Sequence, residues 1–133
     1  MIALLDTNVI LRYLTNNSPE AAEAVAKRFG EAKAGKISLR INSFIVIETI
    51  YLLEDYYHFS REEIVSALGG LLAQPFLDLE DKDCVFAALL SYNHSTADFT
   101  DCLLHALARQ NTYKILSFDK HFDKLEPNLC LEP

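Results

Sequence analysis

The first five residues constrain the fold most. Ile2-Ala3-Leu4-Leu5 is an unbroken apolar run that stops abruptly at Asp6-Thr7-Asn8. A strand covered on both faces reads as such a run, and strands of this kind belong to parallel sheets. Asp, Thr and Asn form turns and helix caps. Val9, Ile10, Tyr13 and Leu14 then follow at helical spacing. A buried strand that hands over directly to a helix is half of a βα unit, which points to an α/β domain.

The rest of the chain repeats that theme. Asn17-Ser18-Pro19-Glu20 reads as a helix start, with Ser18 as cap and Pro19 in the first turn. Ala21, Ala24, Val25 and Phe29 give this helix its apolar stripe, and Gly35 ends it. Ile37 to Ile41 alternates apolar and polar residues, a strand pattern. A helix is expected from Phe44 to about Tyr57. A second runs from Ser60, with Glu63 completing a capping box, to about Ala73. Pro75 stops that helix, and Phe76-Leu77-Asp78 is a short strand candidate. Helices follow over Asp81–Tyr92 and from Asp98, with Leu103, Leu104 and Leu107 as the stripe of the second. Tyr113 to Phe118 reads as a strand leading into Asp119, and Leu129 to Leu131 as an edge strand. Strands alternating with helices imply a mainly parallel central sheet. No repeat, low-complexity segment or linker interrupts residues 1–133, so one domain is expected.

Composition narrows the class further. No apolar stretch approaches the ~20 residues of a membrane span. The N-terminus lacks a basic leader and a cleavage site. Cys84, Cys102 and Cys130 are odd in number and widely spaced, which argues against a disulfide framework and a zinc site. Reduced thiols packed as small hydrophobes, in a cytoplasmic protein, are the expectation. The net charge of −7 argues at first against a nucleic-acid partner. Carboxylates gathered to hold a divalent cation also count as negative charge, however, so their positions matter more than their sum.

Several acids sit where a solvated surface does not put them. Asp6 and Asp119 each follow an apolar strand candidate. Both are thereby expected at the C-terminal edge of a parallel sheet, the usual ligand site of open α/β folds. Either one also reads as an ordinary turn-forming Asp. Glu48 interrupts the otherwise apolar segment Phe44 to Leu53. A helix so apolar is expected to be buried, where an ionised Glu requires a partner or a metal. A polar stripe on that helix, or a pairing with Arg12 or Arg40, is the competing account. Asp98 and Asp101, three apart, share a face at a helix start. They make either a metal corner or a favoured first helical turn. Asp78, Glu80, Asp81 and Asp83 read as a solvated acidic cluster. The histidines His58, His94, His105 and His121 are scattered, and His121 is expected at the surface.

These motifs together resemble the PIN-domain family. The resemblance runs from Leu4-Leu5-Asp6-Thr7-Asn8-Val9, through Glu48 and Asp98-Phe99-Thr100-Asp101, to Leu116-Ser117-Phe118-Asp119. Within the family, the chain is similar to the small VapC-type ribonuclease toxins. The resemblance implies a three-layer α/β/α fold and an acidic cluster that binds Mg²⁺ or Mn²⁺ and cleaves RNA. By motif, Asp6, Glu48, Asp101 and Asp119 match the family's acids in order, and Asp98 ranks below Asp101 as a ligand. Thr7, Asn8 and Ser117 fall where relatives carry small polar groups that orient ligands or water. The resemblance also implies a homodimer and a cognate antitoxin protein. Carboxylates without Cys/His spacing suit a hard cation such as Mg²⁺. Setting the five acids aside brings the remaining charge close to neutral. Arg12, soon after Asp6, is the candidate phosphate contact; it also reads as a surface arginine. Arg40, Arg109, Lys114, Lys120 and Lys124 are further candidates to flank the site. A phosphoesterase or non-toxin nuclease using the same acids, and a non-catalytic binding module on the same fold, are the competing functions.

Overall fold

The computed structural model describes the whole chain, residues 1–133. It forms two compact units, Met1–Glu80 and Asp81–Pro133.

The first unit contains strand β1 (Ile2–Leu4), helices α1 (Thr7–Thr15) and α2 (Pro19–Lys33), strand β2 (Ser38–Ile41), helices α3 (Ser43–Asp55) and α4 (Arg61–Leu72), and strand β3 (Leu77–Leu79). The strands pair in the order β1-β2-β3, all parallel, with Ile2 opposite Ser38 and Leu39 opposite Leu77. Leu39 and Ile41 are buried, while Ser38 and Arg40 between them are exposed, as the period-two pattern requires. Ile10, Ile41, Val46, Leu53, Ile64, Leu68 and Leu72 form the core.

Helix boundaries follow the cap residues. Ser18 accepts from the Ala21 N–H at 3.3 Å to start α2. Gly35, at φ 76°, turns the chain out after it. Ser60 and Glu63 close a reciprocal capping box on α4, at 3.1 Å and 3.0 Å. Hydrogen bonds from the Ser60 backbone N–H and side chain hold the Glu63 carboxyl below its ordinary range.

Two expectations are corrected here. Ile2 and Leu4 are exposed, and only Leu5 of the opening run is buried. β1 is an edge of its sheet and pairs only with β2; an apolar run alone does not distinguish one covered face from two. Asp78 and Glu80 are not a merely solvated cluster. Asp78 pairs with Arg40 at 2.7 Å. Glu80 accepts from the Ser43 N–H at 3.0 Å, the Ser43 hydroxyl at 2.7 Å and the Asn42 amide at 3.1 Å. It therefore supplies the N-terminus of α3 with the acceptor that Asn42, the formal cap residue, does not.

The second unit contains α5 (Lys82–His94), α6 (Phe99–Asn111), β4 (Ile115–Leu116), α7 (Phe122–Leu125) and β5 (Cys130–Leu131). α5 and α6 pack against each other. Between them Tyr92 meets Phe99 edge-on, with ring centroids 5.9 Å apart. β4 and β5 pair in parallel, and Ala108, Ile115, Phe122 and Leu129 form a small core beside them. The strand expected over Tyr113–Phe118 shrinks to two residues because its partner, Cys130–Leu131, offers no longer ladder. Cys84 and Cys102 are buried and Cys130 is half-buried; all three are free thiols. No helix is long and apolar enough to cross a membrane.

Candidate active site

The five acids singled out from the sequence divide between the units. Asp6 and Glu48 lie in the first; Asp98, Asp101 and Asp119 lie in the second.

Asp6 stands one residue past Leu5, whose N–H still pairs with the Arg40 carbonyl of β2 at 2.9 Å. The strand thus delivers Asp6 to the C-terminal edge of the sheet. There it caps α1, accepting from the Thr7 N–H at 2.8 Å. Thr7 is only 3% exposed, and its hydroxyl oxygen is buried without a hydrogen-bond partner. Buried polar groups are almost always satisfied, so this hydroxyl beside Asp6 is an exception to the rule. Asn8 is exposed. Arg12 is exposed in the last turn of α1.

Glu48 corrects the expectation of a buried acid. The buried stripe of α3 is Ile45, Val46, Thr49, Ile50 and Leu53. Glu48 falls on the opposite stripe with Phe44 and Tyr51, all exposed. The high apolar content of α3 comes from apolar residues on both faces, so composition overstated its burial.

The second unit gathers its acids. Asp98 caps α6, accepting from the Asp101 N–H at 2.9 Å. Asp101, in the first turn, is half-buried. Its carboxyl is pushed above the ordinary range, first by burial, then by the charges of Asp98 and Asp119; His121 opposes the shift. Asp119 lies three residues past β4 in a turn of its own. Its N–H donates to the Ser117 hydroxyl at 2.9 Å. Its carboxylate accepts from the His121 N–H at 3.0 Å, and the His121 Nε2 lies 3.4 Å away. Ser117 and His121 together fix how Asp119 is presented. Asp98, Asp101, His121 and Lys124 share a cavity of about 240 Å³.

This chemistry fits a hard divalent cation. The donors are carboxylate oxygens, and burial with like charge makes the ionised Asp101 unfavourable without a counter-ion. No three His, Cys, Asp or Glu side chains converge into a ready-made cage. Mg²⁺ needs none, since it commonly takes one or two carboxylates and keeps its waters. Sequence reasoning named Lys124 only as one of several cations that could flank the site, and it missed that the Thr7 hydroxyl is orphaned. His121 is exposed, as expected, yet it touches Asp119. Its position two residues past Asp119 was the available signal.

Parallel strands and helices, with acids following a strand and opening a helix, define the class. The PIN-domain family description matches residues 3–126, and the chain belongs to that family. Its fold is accordingly α/β, three-layered α/β/α, with a mainly parallel sheet. The VapC ribonuclease of Aquifex aeolicus (strain VF5) is 30% identical to this chain over 123 residues. That alignment covers 92% of this chain and 90% of the relative. PIN-domain nucleases generally use divalent metals.

Proposed function

We propose that this chain is an endoribonuclease that hydrolyses RNA phosphodiester bonds with Mg²⁺ or Mn²⁺, and the toxin of a toxin–antitoxin pair. The observation that carries the reading is Asp101. Its carboxyl is raised by burial and by two neighbouring acids that the family resemblance also singles out. Likeness to a VapC ribonuclease over nearly the whole chain supports the RNA substrate and a cognate antitoxin. The continuous family match supports residues 1–133 acting as one nuclease domain. The exposed Phe44, Tyr51 and Tyr56 support a homodimer or antitoxin interface. The free cysteines support a reducing, cytoplasmic setting.

In this reading Asp6 and Asp101 are the direct ligands. Asp119 and Glu48 act through water or on a second ion, with Asp98 as an auxiliary. These carboxylates would hold a divalent cation, which would supply a more acidic water and charge stabilisation for a phosphate. The chain's own groups prepare the site. The buried Thr7 hydroxyl and the Asn8 amide hold water beside Asp6, Ser117 fixes the turn that presents Asp119, and Arg12 offers a guanidinium to a phosphate.

The test is cleavage of a labelled RNA pool with and without Mg²⁺ or Mn²⁺, beside Asp6→Asn and Asp101→Asn. Metal-dependent cleavage lost in both variants is expected. A folded protein that cuts no RNA under either metal overturns the reading in favour of a binding module.

A further inference from the structure

We propose that Lys124 is the residue of the second unit that binds the RNA backbone, its ammonium contacting a phosphate beside the scissile one. The inference rests on the ribonuclease reading and deepens it by assigning the substrate's phosphate contact. Such a contact must come from a cation that is near the acids and not already engaged.

Of the cations that could flank the site, those other than Arg12 of the first unit and Lys124 are engaged or lie elsewhere. Arg40 is paired with Asp78 at 2.7 Å. Lys114 donates to the Asn128 carbonyl. Lys120 lies 4.0 Å from Glu132. Arg109 lines a different cavity, between α5 and α6, with Asp83 and His105. Lys124, in the last turn of α7, is exposed and lines the cavity that holds Asp98 and Asp101. It forms no ion pair with either acid, although its side chain is long and flexible. His121 stands one turn earlier on the same cavity wall, but it is turned to Asp119.

The cavity is acidic, so an anion enters only where bound cations offset Asp98, Asp101 and Asp119. Lys124 adds a point charge at the rim that keeps contact as RNA registers slide, because an ammonium makes no bidentate demand on geometry. A lysine on a phosphate contributes affinity to all sequences alike. Lys124 is therefore a positioning and binding residue and takes no part in proton transfer.

The experiment compares Lys124→Ala and Lys124→Arg with wild type in Mn²⁺ across a range of KCl concentrations, reading KM, kcat and the salt dependence of kcat/KM. Mn²⁺ affinity is measured separately by titration. We expect Lys124→Ala to raise KM roughly tenfold with kcat changed less than about twofold. The slope of log(kcat/KM) against log[salt] should flatten by about one, the signature of one lost phosphate contact. Lys124→Arg should restore both, and Mn²⁺ affinity should stay unchanged in all three proteins. An unchanged KM and slope overturns the assignment alone, because cleavage itself persists. RNA binding by Asp101→Asn, with and without Lys124→Ala, repeats the slope measurement without turnover. Absence of both cleavage and RNA binding in the folded protein overturns the ribonuclease reading and this assignment with it.

Discussion

The two units use their acids in opposite ways. In Met1–Glu80 each acid beside the sheet has a structural task. Asp6 caps α1, Asp78 pairs with Arg40, and Glu80 supplies the N-terminus of α3. In Asp81–Pro133 the acids crowd. Asp98 caps α6 but brings its charge towards Asp101, and Asp119 adds a second. The first arrangement stabilises a fold; the second disfavours the charged Asp101, first by burial and then by its acidic neighbours. Stability set aside in this way is what a site built for charge stabilisation is expected to show.

The largest effects should fall on activity. Asp101→Asn keeps the size and the backbone bond to Asp98 but removes the crowded charge. RNA cleavage should fall by roughly a hundredfold or more, while Asn remains compatible with the fold. Asp6→Asn is the sharper comparison. Asn caps helices about as well as Asp, so α1 should persist with Tm nearly unchanged while cleavage is lost to a similar extent. Cleavage assays beside thermal melts separate these effects. If Asp6→Asn retains full activity, the first unit contributes only structure, and the contrast between the units becomes absolute.

Next in size is a loss confined to stability. Glu80→Ala leaves the Ser43 N–H at the start of α3 without its acceptor, so the protein should lose about 1 kcal/mol, the usual cost of a lost cap. Chemical denaturation measures it, and RNA cleavage at a temperature well below Tm should be unaffected. The loss has a pH signature. Hydrogen bonds from the Ser43 backbone and hydroxyl hold the Glu80 carboxyl below its ordinary range. Its contribution is therefore present above the carboxyl value of the unfolded chain and is lost as pH falls through the lowered one. The difference between wild type and Glu80→Ala should shrink in acid.

How much of this was legible in sequence follows from how local each signal is. Caps are local, so Ser18, Ser60 with Glu63, and Asp98 were all readable from a few neighbouring residues. The β2 alternation was equally local. Burial is not local. The apolar content of α3 concealed that Glu48 shares its face with exposed Phe44 and Tyr51, and the apolar opening run concealed that Ile2 and Leu4 lie on an edge strand. Partners distant in the chain were invisible for the same reason. Nothing near Glu80 announces that it serves Ser43, thirty-seven residues earlier. The site was legible as an ordered set of motifs, because acids that follow a strand or open a helix are local features. Which of the candidate cations lines the cavity, and that the Thr7 hydroxyl is orphaned, were not, because each depends on what the fold brings around it.

The smallest expected effect is the most diagnostic of the contrast. Burial, Asp98 and Asp119 raise the Asp101 carboxyl above its ordinary range. Between the ordinary value and the raised one, the metal-free folded state binds more protons than the unfolded chain, so stability falls as pH rises through that window and stays lower above it. Asp101→Asn removes this penalty. At neutral pH without metal it should raise Tm by roughly one or two degrees, given that substitutions at accessible positions rarely exceed about 0.5 kcal/mol. The gain should shrink in acid, as the Glu80→Ala loss does, but with the opposite sign. Adding Mg²⁺ or Mn²⁺ should raise the Tm of wild type and leave Asp101→Asn nearly unmoved, because a ligand stabilises only the state that binds it. Melts of both proteins from pH 4 to pH 7, with EDTA and then with metal, read all three effects. An Asp101→Asn protein less stable than wild type at neutral pH would mean that the Asp101 charge supports the α6 N-terminus more than its neighbours oppose it, and the two units would then use their acids alike.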